Sequence, residues 1–89
     1  MAKKRRKLNK DFEKKIYSSK KNVELVLAKI YDIDDEDIQK EYMSAFNSVV
    51  YLYDQLKDDY DRQGFSYNSE ELLTNYTKAF YLFESEFEI

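Results

Sequence analysis

The 89-residue sequence contains no cysteine, no histidine, no proline, no tryptophan and one glycine, Gly64. Without cysteine there is no disulfide framework and no thiol nucleophile. Without histidine there is also no Cys/His zinc site and no imidazole general base. A glycine-rich phosphate loop cannot be built from a single glycine. There is no long uninterrupted apolar run of the kind that crosses a membrane. The basic start Lys3-Lys4-Arg5-Arg6-Lys7 is not followed by the apolar stretch of a secretory signal. These absences speak against most enzyme classes, and no cofactor or metal is expected. The length admits one small domain.

Charge and aromatic rings are what the chain has in quantity. Charged residues make up 37% of it, and nine Tyr and six Phe supply the aromatics. The net charge of −3 hides an asymmetry. Residues 1–22 hold ten Lys or Arg and two acids, a net of +8, while residues 23–89 hold five against sixteen, a net of −11. Such a division suggests an electrostatic partner or a basic arm. Lys, Asn, Ile, Tyr and Phe are abundant while Gly, Pro and Ala are scarce, the bias that an AT-rich coding sequence produces. It points to a low-GC bacterium or its phage, with the bacterial cytoplasm as the expected compartment.

Lacking the usual strand and turn punctuation, the chain is expected to be helical. Phe12, Ile16, Ser19, Val23, Val26, Ile30 and Ile33 follow one another in alternating steps of four and three. They form one seam on a helix over 9–31, with Asn9 as N-cap and Ser19 as a polar gap. Asp34 can cap a second helix, and Asp35, Glu36 and Asp37 suit its positive N-terminal end. Its seam runs Ile38, Tyr42, Ala45, Val49, Leu52, Leu56, widened by Phe46, Tyr53 and Tyr60, and Gly64 is its left-handed C-cap. Asn68 and Glu71 read as a capping box for a third helix with the seam Leu72, Tyr76, Ala79, Phe83. The expected fold is all-α, a small antiparallel three-helix bundle over about 9–31, 35–62 and 69–87. A flexible basic arm, residues 1–8, precedes the single helical domain 9–89. Residues 83–89 alternate in part like a strand, and a fraying helix is favoured there. Leftover apolar surface leaves room for a homodimer.

Two charged features are candidates for binding. The arm, Lys3, Lys4, Arg5, Arg6, Lys7 and Lys10, running into a basic first helix, has the pattern of a phosphate contact. The plain alternatives are a solubilising tail or pairing within the chain. If the first two helices turn near Ile33, Lys10 falls beside Leu56, and the basic half faces Asp54, Asp58, Asp59 and Asp61.

The second candidate is acidic. Asp54, Asp58 and Asp61 line up opposite the seam over about 10.5 Å, a charge density of the order of a phosphate backbone at about 3.4 Å per step. Asp34, Asp35, Glu36, Asp37 and Glu41 cluster at the other end of the helix, and Tyr51, Tyr67 and Tyr81 are expected to be exposed beside them. Tyrosine supplies rigid amphipathic area at interfaces. The plain alternative is a solvated acidic face.

The run from Asp32 to Asp37 begins like a calcium loop, but Asp37 and Met43 occupy the places where such a loop needs Gly and a bidentate Glu. The run therefore reads as a cap. No carboxylate pair is marked by an apolar pocket or a partner nucleophile. In composition the chain resembles the small early proteins of phages of low-GC bacteria, short, helical, charged and rich in tyrosine. That resemblance implies host takeover through inhibition of one host protein, in some cases as an acidic DNA mimic. The resulting expectation is a non-enzymatic inhibitor whose acidic, tyrosine-bearing surface occludes the basic nucleic-acid-binding surface of a host protein. The alternative is a small nucleic-acid-binding regulator that sets the basic arm and first helix on phosphates.

Overall fold

The computed structural model describes residues 7–87. The chain is all-α, with α1 at Lys10–Tyr31, α2 at Glu36–Gln63 and α3 at Tyr67–Phe87. The helices run up, down and up. α2 packs against both neighbours, and Tyr76 of α3 reaches α1, its hydroxyl donating to the Ser19 carbonyl at 3.3 Å. The radius of gyration is 15.3 Å, against about 12 Å for a compact domain of this length. The bundle is therefore an elongated rod.

Local chemistry sets the helix ends. Asn9 caps α1, its side chain accepting from Phe12 N at 2.9 Å. The cap of α2 is Asp35 and not Asp34. The extended backbone of Asp35 aims its carboxylate at the Asp37 and Ile38 N–H groups at 2.9 and 3.1 Å. The expected box of Asn68 and Glu71 does not form. Ser66 and Ser69 make it two residues earlier, Ser69 N donating to Ser66 Oγ at 3.2 Å and Ser66 N to Ser69 Oγ at 2.8 Å. This satisfies donors that a bare helix start would leave unpaired. α1 ends under Gln39, whose amide donates to the carbonyls of Ile30 and Tyr31.

The seam of α1 is buried from Phe12 through Ile16, Ser19, Val23 and Val26 to Ile30, while its last expected member, Ile33, lies past the helix end and is half-buried. The gap at Ser19 has a use: the small side chain lets the Tyr76 ring reach the α1 backbone, and Ser19 Oγ is satisfied by the Lys15 carbonyl at 2.8 Å. The core line of α2 differs from the expected seam. It is Phe46, Val49, Tyr53, Leu56 and Tyr60, while Ile38 is exposed and Ala45 and Leu52 are half-buried. A middle helix buries a face wide enough for two neighbours, so its largest rings take the centre and the narrower seam shifts to the flank. Phe46 meets Phe80 and Phe83, Tyr53 meets Tyr76, and Phe12 lies between Tyr60 and Phe65. α3 stays helical to Phe87, where Tyr42 donates to the Phe87 carbonyl at 3.2 Å and packs on its ring.

Gly64 closes α2 through a bond from its N–H to the Tyr60 carbonyl at 2.8 Å. Its φ of 81° and ψ of −162° lie outside the left-handed helical basin that the sequence suggests, in a region essentially confined to glycine. The next residue, Phe65, donates its N–H to the Lys7 carbonyl at 2.6 Å. Gly64→Ala is expected to destabilise the fold by about 1–3 kcal/mol, lowering the melting temperature by roughly 4–8 °C per kcal/mol. Thermal unfolding followed by circular dichroism checks this.

Candidate functional site

The up-down-up topology gathers acids that are far apart in sequence. The end of α1, the start of α2 and the end of α3 share one pole of the rod. There Asp32, Asp34, Asp35, Glu36, Asp37 and Glu41 are joined by Glu84 and Glu86, eight carboxylates against Lys29 and Lys40. All eight are exposed except Glu84, which is half-buried, and none forms an ion pair among the described residues. Asp35 is engaged by its cap bonds, and Glu36 and Asp37 favour the positive end of α2. Tyr31 stands at this pole with 69% of its surface exposed. Tyr81, 66% exposed, lines the nearby α1–α3 groove with Leu25, Lys29 and Glu84.

The other expected acids are arranged differently. Tyr51, Asp54, Asp58 and Asp61 lie on the exposed outside of α2, toward the opposite end. Two of those carboxylates are already partnered within the helix, Asp61 by Lys57 at 2.5 Å and Asp58 by Arg62 at 3.0 Å. The hydrogen bond to Asp61 raises the Lys57 pKa above the usual lysine value. Exposed pairs of this kind stabilise little, but they reduce the field that the stripe presents to a partner.

Asp59 does not belong to the surface at all. It is 5% exposed, and its Oδ1 accepts from Asn68 Nδ2 at 3.1 Å. It lies on the flank of α2 that faces the start of α3, where the helix end favours negative charge. Tyr67 is 80% exposed at this same end, remote from the acidic pole.

The pairing of the basic half of α1 with the α2 aspartates is not observed among the described residues. The register across the α1–α2 pair is shifted by about six residues from the expected one. Lys7 faces Phe65, its Nζ lying 5.8 Å from the ring centroid, and Glu13 faces Tyr60. The connection between α1 and α2 occupies residues 32–35, so the shift comes from the packing of the large rings of α2 against α1. Tyr60 donates to Glu13 Oε2 at 2.6 Å and accepts from Asn9 N at 3.0 Å. Lys7 and Lys10 are exposed; Lys3, Lys4, Arg5 and Arg6 lie outside the described residues.

Among the described residues no group of three or more acidic side chains is placed to hold a metal ion, and no helix is long and apolar enough to cross a membrane. Sequence reasoning missed Asp32 and Tyr31 as members of this surface. Tyr31 was recognisable as the residue just off the α1 seam at its last turn. The union of the three segments depends on topology. No protein-family model, curated protein or solved structure matches this chain.

Proposed function

We propose that this chain is a non-enzymatic, protein-binding inhibitor, encoded by a phage or mobile element. Its acidic pole occludes the basic nucleic-acid-binding surface of a host protein. The observation that carries the reading is the gathering of eight carboxylates, without ion-pair partners among the described residues, around the exposed Tyr31 at an end formed by all three helices. Clustered charge of one sign steers a complementary partner into encounter, and an exposed aromatic ring provides an anchor that charge alone lacks. The stripe at Asp54, Asp58 and Asp61 takes a lesser part, since two of its three members are paired.

Affinity capture from a low-GC bacterial lysate treated with nuclease, followed by binding kinetics on the recovered protein, tests the reading. The expected partner is a nucleic-acid-binding protein whose nucleic acid competes with this chain. Asp34→Lys, Asp37→Lys and Glu41→Lys together, sparing the Asp35 cap, should slow association at least about tenfold at low salt. Reversing Asp54, Asp58 and Asp61 should do less. Recovery of no such protein, or association indifferent to both sets, rejects the proposal.

A further inference from the structure

The outward face of α1 carries Lys10, Lys14, Tyr17 and Lys21, at steps of four, three and four residues, and all are exposed. The spacing sets them in one row, with the lysines about 6 Å and then about 10.5 Å apart along the axis. Phosphates of a stacked strand rise about 3.4 Å per nucleotide, so these intervals match about two and about three nucleotides. None of these lysines forms an ion pair among the described residues. Lys21 Nζ lies 5.4 Å from the Tyr17 ring centroid, so a cation and an exposed aromatic face are presented together.

Tyr17 also borders a groove of about 380 Å³ between α1 and α2, lined by Ile16, Tyr53 and Tyr60, with Lys20 contributed by α1 and Lys57 by α2. The groove's two carboxylates are both engaged. Glu13 accepts from the Tyr60 hydroxyl at 2.6 Å, and Asp61 accepts from Lys57 at 2.5 Å. Lys20 is exposed and forms no ion pair among the described residues. What the groove offers a ligand is therefore aromatic surface and an uncommitted positive charge.

We propose that this face is a binding site for single-stranded nucleic acid, with Lys10, Lys14, Lys20 and Lys21 on phosphates and one base stacked on Tyr17 at the groove. The lysines add affinity through counterion release, and stacking on a tyrosine tolerates any base. An unpaired strand fits better than a duplex, because the ring sits in the middle of the lysine row and needs an unstacked base to meet it. This site is distinct from the acidic pole and does not depend on the inhibitor reading.

The test uses the full chain and a short labelled oligothymidylate, with binding read by fluorescence anisotropy over a salt series. Binding should weaken with salt. Lys14→Ala with Lys21→Ala should reduce the magnitude of the log–log salt slope by about 1.4, at about 0.7 per lost single-strand contact. Tyr17→Ala should weaken affinity at least about fivefold with the slope unchanged, and Tyr17→Phe should restore it. These side chains are exposed, and unchanged thermal melts verify that the variants fold. Absence of binding at low salt overturns the proposal. So does binding indifferent to all these variants, which puts the contacts elsewhere. Equal binding of polyglutamate, with no effect of Tyr17→Ala, identifies mere polyanion capture and also overturns it.

Discussion

Phe46→Ala is expected to cost about 3–5 kcal/mol, the largest loss of any single substitution considered for this bundle. Phe46 is fully buried at the middle of α2, with ring centroids 4.8 Å from Phe83 and 6.2 Å from Phe80. The loss has two parts, the apolar area returned to water and the cavity that neighbours fail to fill. Relaxation is restricted here. Phe83 is also stacked on Phe87 at 4.9 Å and Phe80 is held against Tyr76 at 5.9 Å, so neither ring can move in without giving up another contact. A domain of this size has a total stability of roughly 4–13 kcal/mol. The variant should therefore melt roughly 12–40 °C lower, at about 4–8 °C per kcal/mol. Tyr51→Ala is the control: at 63% exposure on the outside of the same helix it should stay within about 0.5 kcal/mol of the parent. Urea unfolding of the two variants measures the contrast. A cost below about 1 kcal/mol for Phe46→Ala would mean that the centre of the core lies elsewhere.

The helices were legible because their periodicity is strong and their interiors are free of glycine and proline. From Phe12 to Ile30 the α1 seam translates residue for residue into burial, since α1 touches the rest of the bundle along a single stripe. The middle helix was harder to read. Its apolar face is wide enough for several seams, and only the partners' positions choose the line through Phe46, Tyr53 and Tyr60. The caps went astray for a related reason. Asp34 and Asp35 have the same capping chemistry, as do Ser66 and Asn68, and the choice rests on which residue takes the extended backbone where the chain leaves the turn.

Charge placement was partly legible. The sequence separates a basic segment from an acidic body, but it does not distinguish carboxylates that are paired, buried or at a shared pole. Asp58 and Asp61 have Arg62 and Lys57 four residues away, a spacing from which their pairing could have been read. Asp59 could not be separated from them by pattern, because its burial depends on how far α3 returns along α2. The pole itself follows from an odd number of helices, which brings the last turn of α3 beside the α1–α2 turn. A register shift of about six residues then sets Glu13, and not a lysine, against Tyr60. The lysine row of α1 faces outward because it lies on the side of the helix opposite the buried seam.

Tyr76 makes the fold alkali-sensitive. Burial is the main cause that pushes its hydroxyl up to about 12 from the ordinary 10.0; the Ser19 side chain opposes this, and Tyr53 and Glu84 add to it. Burial likewise raises Tyr53, against the opposing influence of Lys57. A tyrosine raised in the folded state keeps its proton after the unfolded chain has lost it. Its contribution is therefore complete below pH 10 and is lost as pH climbs toward 12. Two units correspond to about 2–3 kcal/mol, a large share of the stability of a domain this small.

Tyr76→Phe separates this effect from the general consequences of alkali. Near neutrality the variant should be less stable by about 1 kcal/mol, having lost the bond to the Ser19 carbonyl. It should then lose stability less steeply than the parent, so that the two curves cross near pH 11 and the variant is the more stable above it. Urea unfolding at intervals from pH 8 to pH 12 measures both curves, with phenolate absorbance recorded on the folded protein. Tyr76 should ionise only within the cooperative transition. Parallel curves for parent and variant, or ionisation of Tyr76 while the helices remain intact, would show that Tyr76 is open to water and that α1 and α3 are not locked at Ser19.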